Sequence, residues 1–196
     1  FYSFVVDWLI AAFVIILLVT MVAHYLNGGI RLQAPFQRVT PQVKAHMSVL
    51  LAVLALLKAV SYWLERYQLV FSQRGTVNGA TYTDVKAQLP AIYLLLLISL
   101  LACGLFIFNI WQRGWTLPVV AVGLWALVAV VAGVAYPAFV QRFQVTPDES
   151  AKERPYIENN IQATRQGFGL TNDRVEVRQF EYDPSREAGA RGVVNN

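Results

Sequence analysis

The sequence predicts an all-α membrane helix bundle of four transmembrane helices, followed by the beginning of a soluble α+β domain. Hydrophobic residues fill 56% of the 196 positions and charged residues only 14%, against roughly a quarter charged in an ordinary soluble domain. Four apolar runs reach the roughly 20 residues that a helix needs to cross a bilayer. After Tyr136 and Pro137 the sequence becomes densely polar, which indicates where the membrane domain ends.

The apolar runs are predicted to be helices, because a bilayer offers no water to unpaired backbone groups. Threonine at position 40 and proline at position 41 are typical of a helix start, and they open the second run. Pro90 and Pro118 stand at the entry of the third and fourth runs, and Pro137 is predicted to close the fourth. The predicted spans are residues 8–26, 41–64, 89–110 and 116–139, all within a transmembrane domain at 1–139.

Aromatic residues at the ends of these runs support the same boundaries, since tyrosine and tryptophan concentrate at membrane interfaces. One interface would hold Tyr62, Trp63, Tyr93 and Tyr136, and the other would hold Tyr25, Trp111 and Trp115. This distribution agrees with four spans that cross in alternating directions.

Residues 140–196 are predicted to begin a soluble domain. A short helix is expected from Arg154 and Pro155 to a stop at Gly167, with apolar residues at helical spacing. Residues 174–182 alternate as a strand with one bulge would. The chain starts without methionine and stops shortly after this strand. We therefore interpret it as an internal piece of a longer protein, with the soluble domain truncated.

The charge distribution excludes one class of partner and leaves orientation open. The net charge of +4 comes from 16 Lys and Arg against 12 Asp and Glu, and it forms no basic stripe, so nucleic acid is not an expected partner. One face would carry Arg31, Arg38, Lys44 and Arg113, and the other Arg66, Arg74, Lys86, Arg142, Lys152 and Arg154. By the positive-inside rule, this count alone would place the polar tail in the cytoplasm.

Lys58 and Asp7 are the intramembrane polar candidates. Lys58 interrupts the second span, and an ammonium at bilayer depth costs about 2.5–3.5 kcal/mol on insertion scales. It could extend toward the interface, pair with Glu65 or Asp7, or serve transport or proton relay. Asp7 stands just before Trp8, where a carboxylate could be solvated or could interact with the helix N-terminus.

The sequence predicts no catalytic residues, no cofactor and no metal site. His24 and His46 flank the first loop, but two histidines without a third ligand at suitable spacing are weak evidence for a metal, so packing or capping is expected. None of the common catalytic or nucleotide-binding motifs occurs. The protein is therefore not expected to be an enzyme through the residues of this chain.

Several stretches resemble the uncharacterised protein family 0182, multi-pass membrane proteins of actinobacteria. They are DWLIAAF from Asp7, HYLNGGIRLQ from His24, LLKAVSYWLERYQLVFS from Leu56, ATYTDVKAQLPA from Ala80 and YPAFVQRFQVTPDESAKERPYIENNIQATRQGFGL from Tyr136. The resemblance implies seven spans followed by a large extracytoplasmic domain, of which this chain would hold the last four spans and the domain's start. It thus implies an extracytoplasmic tail, and we follow it over the charge count. It implies no activity and no functional residues.

Two functional hypotheses follow for this plasma-membrane protein. The first is a membrane platform that anchors the extracytoplasmic domain in a cell-envelope assembly, with the bilayer and envelope proteins as partners. The alternative is a transporter or lipid-handling protein with a cavity among the spans. The alternative predicts polar residues at mid-depth, and Lys58 is the clearest one.

Overall fold

The computed structural model describes residues 2–31, 39–74 and 79–170, and these are almost entirely helical. Four helices are long and apolar enough to cross a membrane, at Ser3–Leu26, Pro41–Phe71, Asp84–Gln112 and Thr116–Gly167. The α-helical parts are α1 (Tyr2–Leu26), α2 (Pro41–Gln68), α3 (Leu89–Gln112), α4 (Thr116–Val130), α5 (Tyr136–Val140) and α6 (Glu149–Gly167). The chain divides into two compact units, residues 1–157 and 158–196.

Within the first unit, α2 packs against both α1 and α3, and α3 packs against α4. Small residues let the helices approach at the centre, where Ala52, Ala102 and Ala121 surround Phe106. A second cluster joins Tyr62 of α2 to Ile92 and Leu95 of α3. Most large apolar side chains on the outer faces are exposed, as the predicted bundle requires if lipid is to cover them.

Three prolines are accommodated by π-helical turns. Val131–Ala135 precedes Pro137, Asp84–Gln88 precedes Pro90, and Gln141–Val145 precedes Pro147. A proline has no backbone N–H, and its ring clashes with the carbonyl four residues earlier. In each case that earlier residue lies within the π turn, whose wider winding relieves the clash. The prolines therefore modify these helices without ending them.

The helix stop predicted at Pro137 is wrong for this reason. The backbone continues from α4 through α5 and a short 3-10 turn at Thr146–Asp148 into α6. The helix expected to begin at Arg154 and Pro155 is part of α6, which starts earlier, and Pro155 lies inside it. The sequence prediction treated Pro137 and Pro155 as boundaries, whereas the structure places both in one continuous helical stretch.

Two helix starts also differ from the prediction. The first helix begins at Tyr2, so Asp7 lies within α1 and not before it. The helical backbone leading into α3 begins at Tyr82, ahead of the predicted start at Leu89. The strand predicted at 174–182 lies outside the described residues. Within the described residues, β pairing consists of an isolated antiparallel bridge between Ile30 and Val39.

Candidate functional site

A buried polar cluster surrounds the start of the third helix, and we call it the junction site. It comprises the helix-start residues 81–84 together with Arg74, Gln141 and Glu153. Thr81 and Asp84 form a capping box: the Asp84 amide donates to Thr81 Oγ1 at 3.3 Å, and the Thr81 amide donates to Asp84 Oδ2 at 3.1 Å. This reciprocal pair satisfies two backbone donors that a helix start leaves unpaired.

Glu153 satisfies the next donor from 71 positions away in the sequence. The Tyr82 amide donates to both Glu153 carboxylate oxygens, at 3.0 Å to Oε2 and 3.2 Å to Oε1. The Glu153 side chain is 4% exposed. A carboxylate near a helix N-terminus interacts favourably with the unpaired amides and the helix dipole. Glu153 therefore joins the segment after the fourth apolar run to the start of the third helix.

Two further polar contacts extend the junction site. The Thr83 hydroxyl donates to Gln141 Oε1, and Arg74 Nη1 lies 3.4 Å from Asp84 Oδ1. Asp84 is almost fully buried, and its carboxylate also accepts the Thr81 hydroxyl at 2.8 Å. Burying a carboxylate is costly unless it is paired and hydrogen-bonded, and Asp84 meets both conditions.

Apolar and aromatic contacts also stabilise the junction site. Ala87 packs with Val140 and Val145 in a small buried cluster. The Tyr82 ring meets the Tyr156 ring edge to face, with 6.1 Å between centroids. Such aromatic pairs contribute about 0.5–1.5 kcal/mol beyond the area they bury. The contact thus combines capping, apolar burial and ring packing.

Sequence analysis missed most of the junction site. A threonine followed three residues later by an aspartate, Thr81 and Asp84, is a readable capping-box pattern and would have placed the helix start correctly. Glu153 lies in a run of mixed acidic and basic residues at positions 148–154. No local pattern distinguishes the one buried carboxylate in such a run, because its partner is a backbone amide far away in sequence.

Lys58 lies on α2, with Nζ 4.7 Å from the centroid of the Tyr62 ring. Lys58 and Asp7 both interact electrostatically with Glu65. No ion pair within 4 Å joins Lys58 to Asp7 in the part of the chain that the structure describes. The three charged groups thus share one region, and Asp7 itself is exposed on α1.

A cavity of about 180 Å³ adjoins Lys58 among α2, α3 and α4. Apart from Lys58, the lining residues that carry polar side-chain atoms are Trp125, through its indole N–H, and Ser99, which is 1% exposed. The Ser99 hydroxyl has no hydrogen-bond partner within the described residues. A buried hydroxyl without a partner is uncommon in native structures. The cavity is lined by Leu51, Leu54, Ala55, Lys58, Ser99, Ala102, Phe106, Ala121, Val122 and Trp125.

At the opposite ends of the helices, His24 and Asn109 make the main polar contacts. His24 Nε2 and His46 Nδ1 are 3.0 Å apart, so the two histidines hydrogen-bond to each other. In the described ranges, no group of three or more His, Cys, Asp or Glu could hold a metal. Asn109 is fully buried and donates to Ser48 Oγ at 2.8 Å and to the Gly114 carbonyl at 3.1 Å. It also accepts the Gly114 amide at 3.2 Å.

Comparison with known proteins assigns the chain to a family of actinobacterial proteins. Residues 1–195 match the Uncharacterised protein family (UPF0182). A UPF0182 protein of Frankia alni is 56% identical over 198 residues, which cover 100% of this chain and 19% of the relative. Relatives from Frankia casuarinae and a Nocardioides species are 51% and 46% identical, over 99% and 95% of this chain.

The chain spans 19% of the length of the two Frankia relatives and 18% of the Nocardioides one. No solved structure matches it. The resemblance seen in the sequence is confirmed, and it now covers nearly every residue. The chain belongs to the uncharacterised protein family UPF0182.

Proposed function

We propose that this chain is the membrane part of a plasma-membrane protein that serves as a platform for an extracytoplasmic domain in a cell-envelope assembly. The proposed role is non-enzymatic. Four helices of sufficient length and apolarity support the membrane placement. The extracytoplasmic side is proposed on the seven-span arrangement that the family resemblance implies.

The junction site is the observation that carries this proposal. A polar segment that only trailed from the last span would have its carboxylates in water, because burying one costs several kcal/mol unless hydrogen bonds compensate. Glu153 is buried and hydrogen-bonded to the start of the third helix. The segment up to residue 157 is therefore packed as part of the membrane unit, as a platform requires.

A second candidate function rests on the cavity beside Lys58. An apolar space of about 180 Å³ with a partly buried ammonium and an unpaired serine hydroxyl could receive part of a lipid or another amphiphile. This observation favours the transporter or lipid-handling alternative. The cavity and the junction site share no residue, so the two candidates can be tested separately.

Purification of the full-length protein from its own membranes in a mild detergent tests both candidates. Mass spectrometry would quantify proteins and lipids that accompany wild type, Glu153→Ala, Lys58→Ala and the control Asp148→Ala. Asp148 is exposed and lies in the 3-10 turn directly before α6, five residues ahead of Glu153. The platform proposal expects stoichiometric protein partners with wild type, Lys58→Ala and Asp148→Ala, and fewer with Glu153→Ala.

A different result would support the carrier and overturn the platform. That result is a lipid retained by wild type and lost in Lys58→Ala, with no stoichiometric protein partner in any sample. Size-exclusion profiles of all four proteins establish that each variant is folded before its partners are compared.

A further inference from the structure

A larger cavity, of about 530 Å³, lies beside the start of the third helix and the helical stretch that follows α4. One part of its wall is apolar and belongs to the end of the predicted fourth span. The other part is polar and belongs to the residues just beyond that span, to Arg74 in the loop before the third helix and to Gln88 in the π turn that leads into α3. It is lined by Arg74, Gln88, Gly133, Val134, Pro137, Ala138, Gln141, Arg142 and Thr146.

Charge on the polar side of this cavity is positive. Arg74 is paired with the buried Asp84, which balances one guanidinium. Arg142 is exposed and makes no hydrogen bond or ion pair to any described residue. The polar wall therefore presents the Arg142 guanidinium, whose charge no described residue neutralises, beside the Arg74 guanidinium, which is paired with Asp84.

The polar wall also offers uncommitted hydrogen-bond donors. Gln141 uses its carbonyl oxygen to accept from Thr83, so its amide group remains free to donate. The Gln88 side chain makes no hydrogen bond within the part of the chain that the structure describes. Guanidinium and amide donors around one space suit the oxygen atoms of a phosphate.

The apolar wall owes its shape to the π turn before Pro137. Gly133 has no side chain, and an added Cβ there would lie only 3.2 Å from Leu95 Cδ1, so this turn packs closely on α3. Val134 is 66% exposed and stands on the same turn. Apolar surface next to unpaired positive charge, at the boundary of a predicted span, is the arrangement that binds phospholipids.

We propose that this cavity binds an anionic phospholipid. The phosphate lies among Arg142, Arg74 and the two glutamine amides, and an acyl chain lies along Val134, Pro137 and Ala138. A free phosphate would leave the apolar wall without a partner. A zwitterionic lipid would bring its ammonium group close to Arg142, whose charge no described residue balances, and like-charge repulsion disfavours that contact.

Binding is measured on the full-length protein in detergent, by native mass spectrometry and by thermal shift on addition of ligand. The ligands are phosphatidylglycerol, phosphatidylcholine and inorganic phosphate. A ligand that binds only the folded state raises the unfolding temperature with concentration. The proposal expects bound phosphatidylglycerol and a concentration-dependent shift, with little effect of the other two. Equal shifts with phosphatidylcholine, or with phosphate alone, would overturn it.

Two variants locate the site. Arg142→Gln should bind phosphatidylglycerol about fivefold more weakly, because each basic residue near an anionic lipid contributes about 1 kcal/mol. Arg113→Gln is the matched control: it is also an exposed arginine, but it lies after α3 and outside the cavity, so its affinity should equal wild type. Equal losses in both variants would show a nonspecific charge effect and refute the site.

Ala138→Phe tests the apolar half independently of charge. Ala138 is exposed and lines the cavity, so a phenyl ring there fills the space without displacing a buried residue. Loss of phosphatidylglycerol binding with an unchanged unfolding temperature of the lipid-free protein supports the proposal. Retained binding in a folded Ala138→Phe protein contradicts it.

Discussion

Glu153→Ala should loosen the start of the third helix while leaving the helix bundle folded. The substitution removes the acceptor of the Tyr82 amide, whose two oxygen contacts are 3.0 and 3.2 Å long. An unsatisfied buried donor costs about 1–3 kcal/mol. Loss of a negative charge at a helix N-terminus adds about 0.3–1 kcal/mol.

Removing the carboxylate also removes the cost of burying it, which offsets part of the loss. We therefore expect a local destabilisation of about 2 kcal/mol. Since 1.4 kcal/mol corresponds to a factor of ten, the opening constant of this helix start should rise about 30-fold. Glu153→Gln keeps an oxygen that can accept the Tyr82 amide, and it should cost about 1 kcal/mol or less.

Amide hydrogen exchange followed by mass spectrometry measures this opening directly, in peptides that cover residues 82–88. Exchange there should accelerate in Glu153→Ala and much less in Glu153→Gln. Asp148→Ala is the control, because Asp148 is exposed and most surface substitutions change stability by less than about 0.5 kcal/mol. Unchanged exchange at 82–88 in Glu153→Ala would refute the reasoning that Glu153 caps this helix.

Three further substitutions test the opposite end of the bundle and its helix packing. Asn109→Ala removes three hydrogen bonds of a fully buried amide and leaves the Gly114 amide unpaired. The free energy of unfolding, measured by thermal unfolding, should therefore fall by about 2–4 kcal/mol. A decrease of less than about 1 kcal/mol would contradict this expectation. Gly29→Ala places a Cβ 2.8 Å from Val43 Cγ2 and should destabilise the protein by about 1–3 kcal/mol. A Cβ added at Gly104 has no atom within 4 Å, so Gly104→Ala should be neutral or should stabilise the protein by up to about 1 kcal/mol. Equal changes in stability for the two glycine substitutions would show that the close contact between Gly29 and Val43 does not cause the destabilisation.

The sequence was sufficient to predict the four apolar helices, because length and hydropathy determine whether a segment can cross a bilayer. It was less informative at the prolines. Pro137 has the chemistry of a helix stop, but Val131–Ala135 can widen into a π turn and let the helix continue. That choice depends on packing against α3, where Gly133 approaches Leu95. Packing of this kind has no signature within a local sequence window.

The junction site shows the same limit for polar residues. The capping box of Thr81 and Asp84 is local and could have been predicted from its spacing. The contact of Glu153 with Tyr82 is not local, since it joins residues 71 positions apart through a backbone group. Lys58 was identified because a charge in an apolar run is conspicuous, yet its nearest aromatic partner and the adjoining cavity emerged only from the packed helices.

Cysteine labelling in intact cells tests most directly the central claim that the junction site holds the base of an extracytoplasmic domain. Single cysteines at Asp148→Cys and Gln112→Cys, both exposed positions at opposite ends of the predicted spans, are introduced into full-length protein freed of other cysteines. An impermeant maleimide should label Asp148→Cys in intact cells and Gln112→Cys only after permeabilisation. Labelling of Gln112→Cys alone in intact cells would place the junction site in the cytoplasm and contradict the claim.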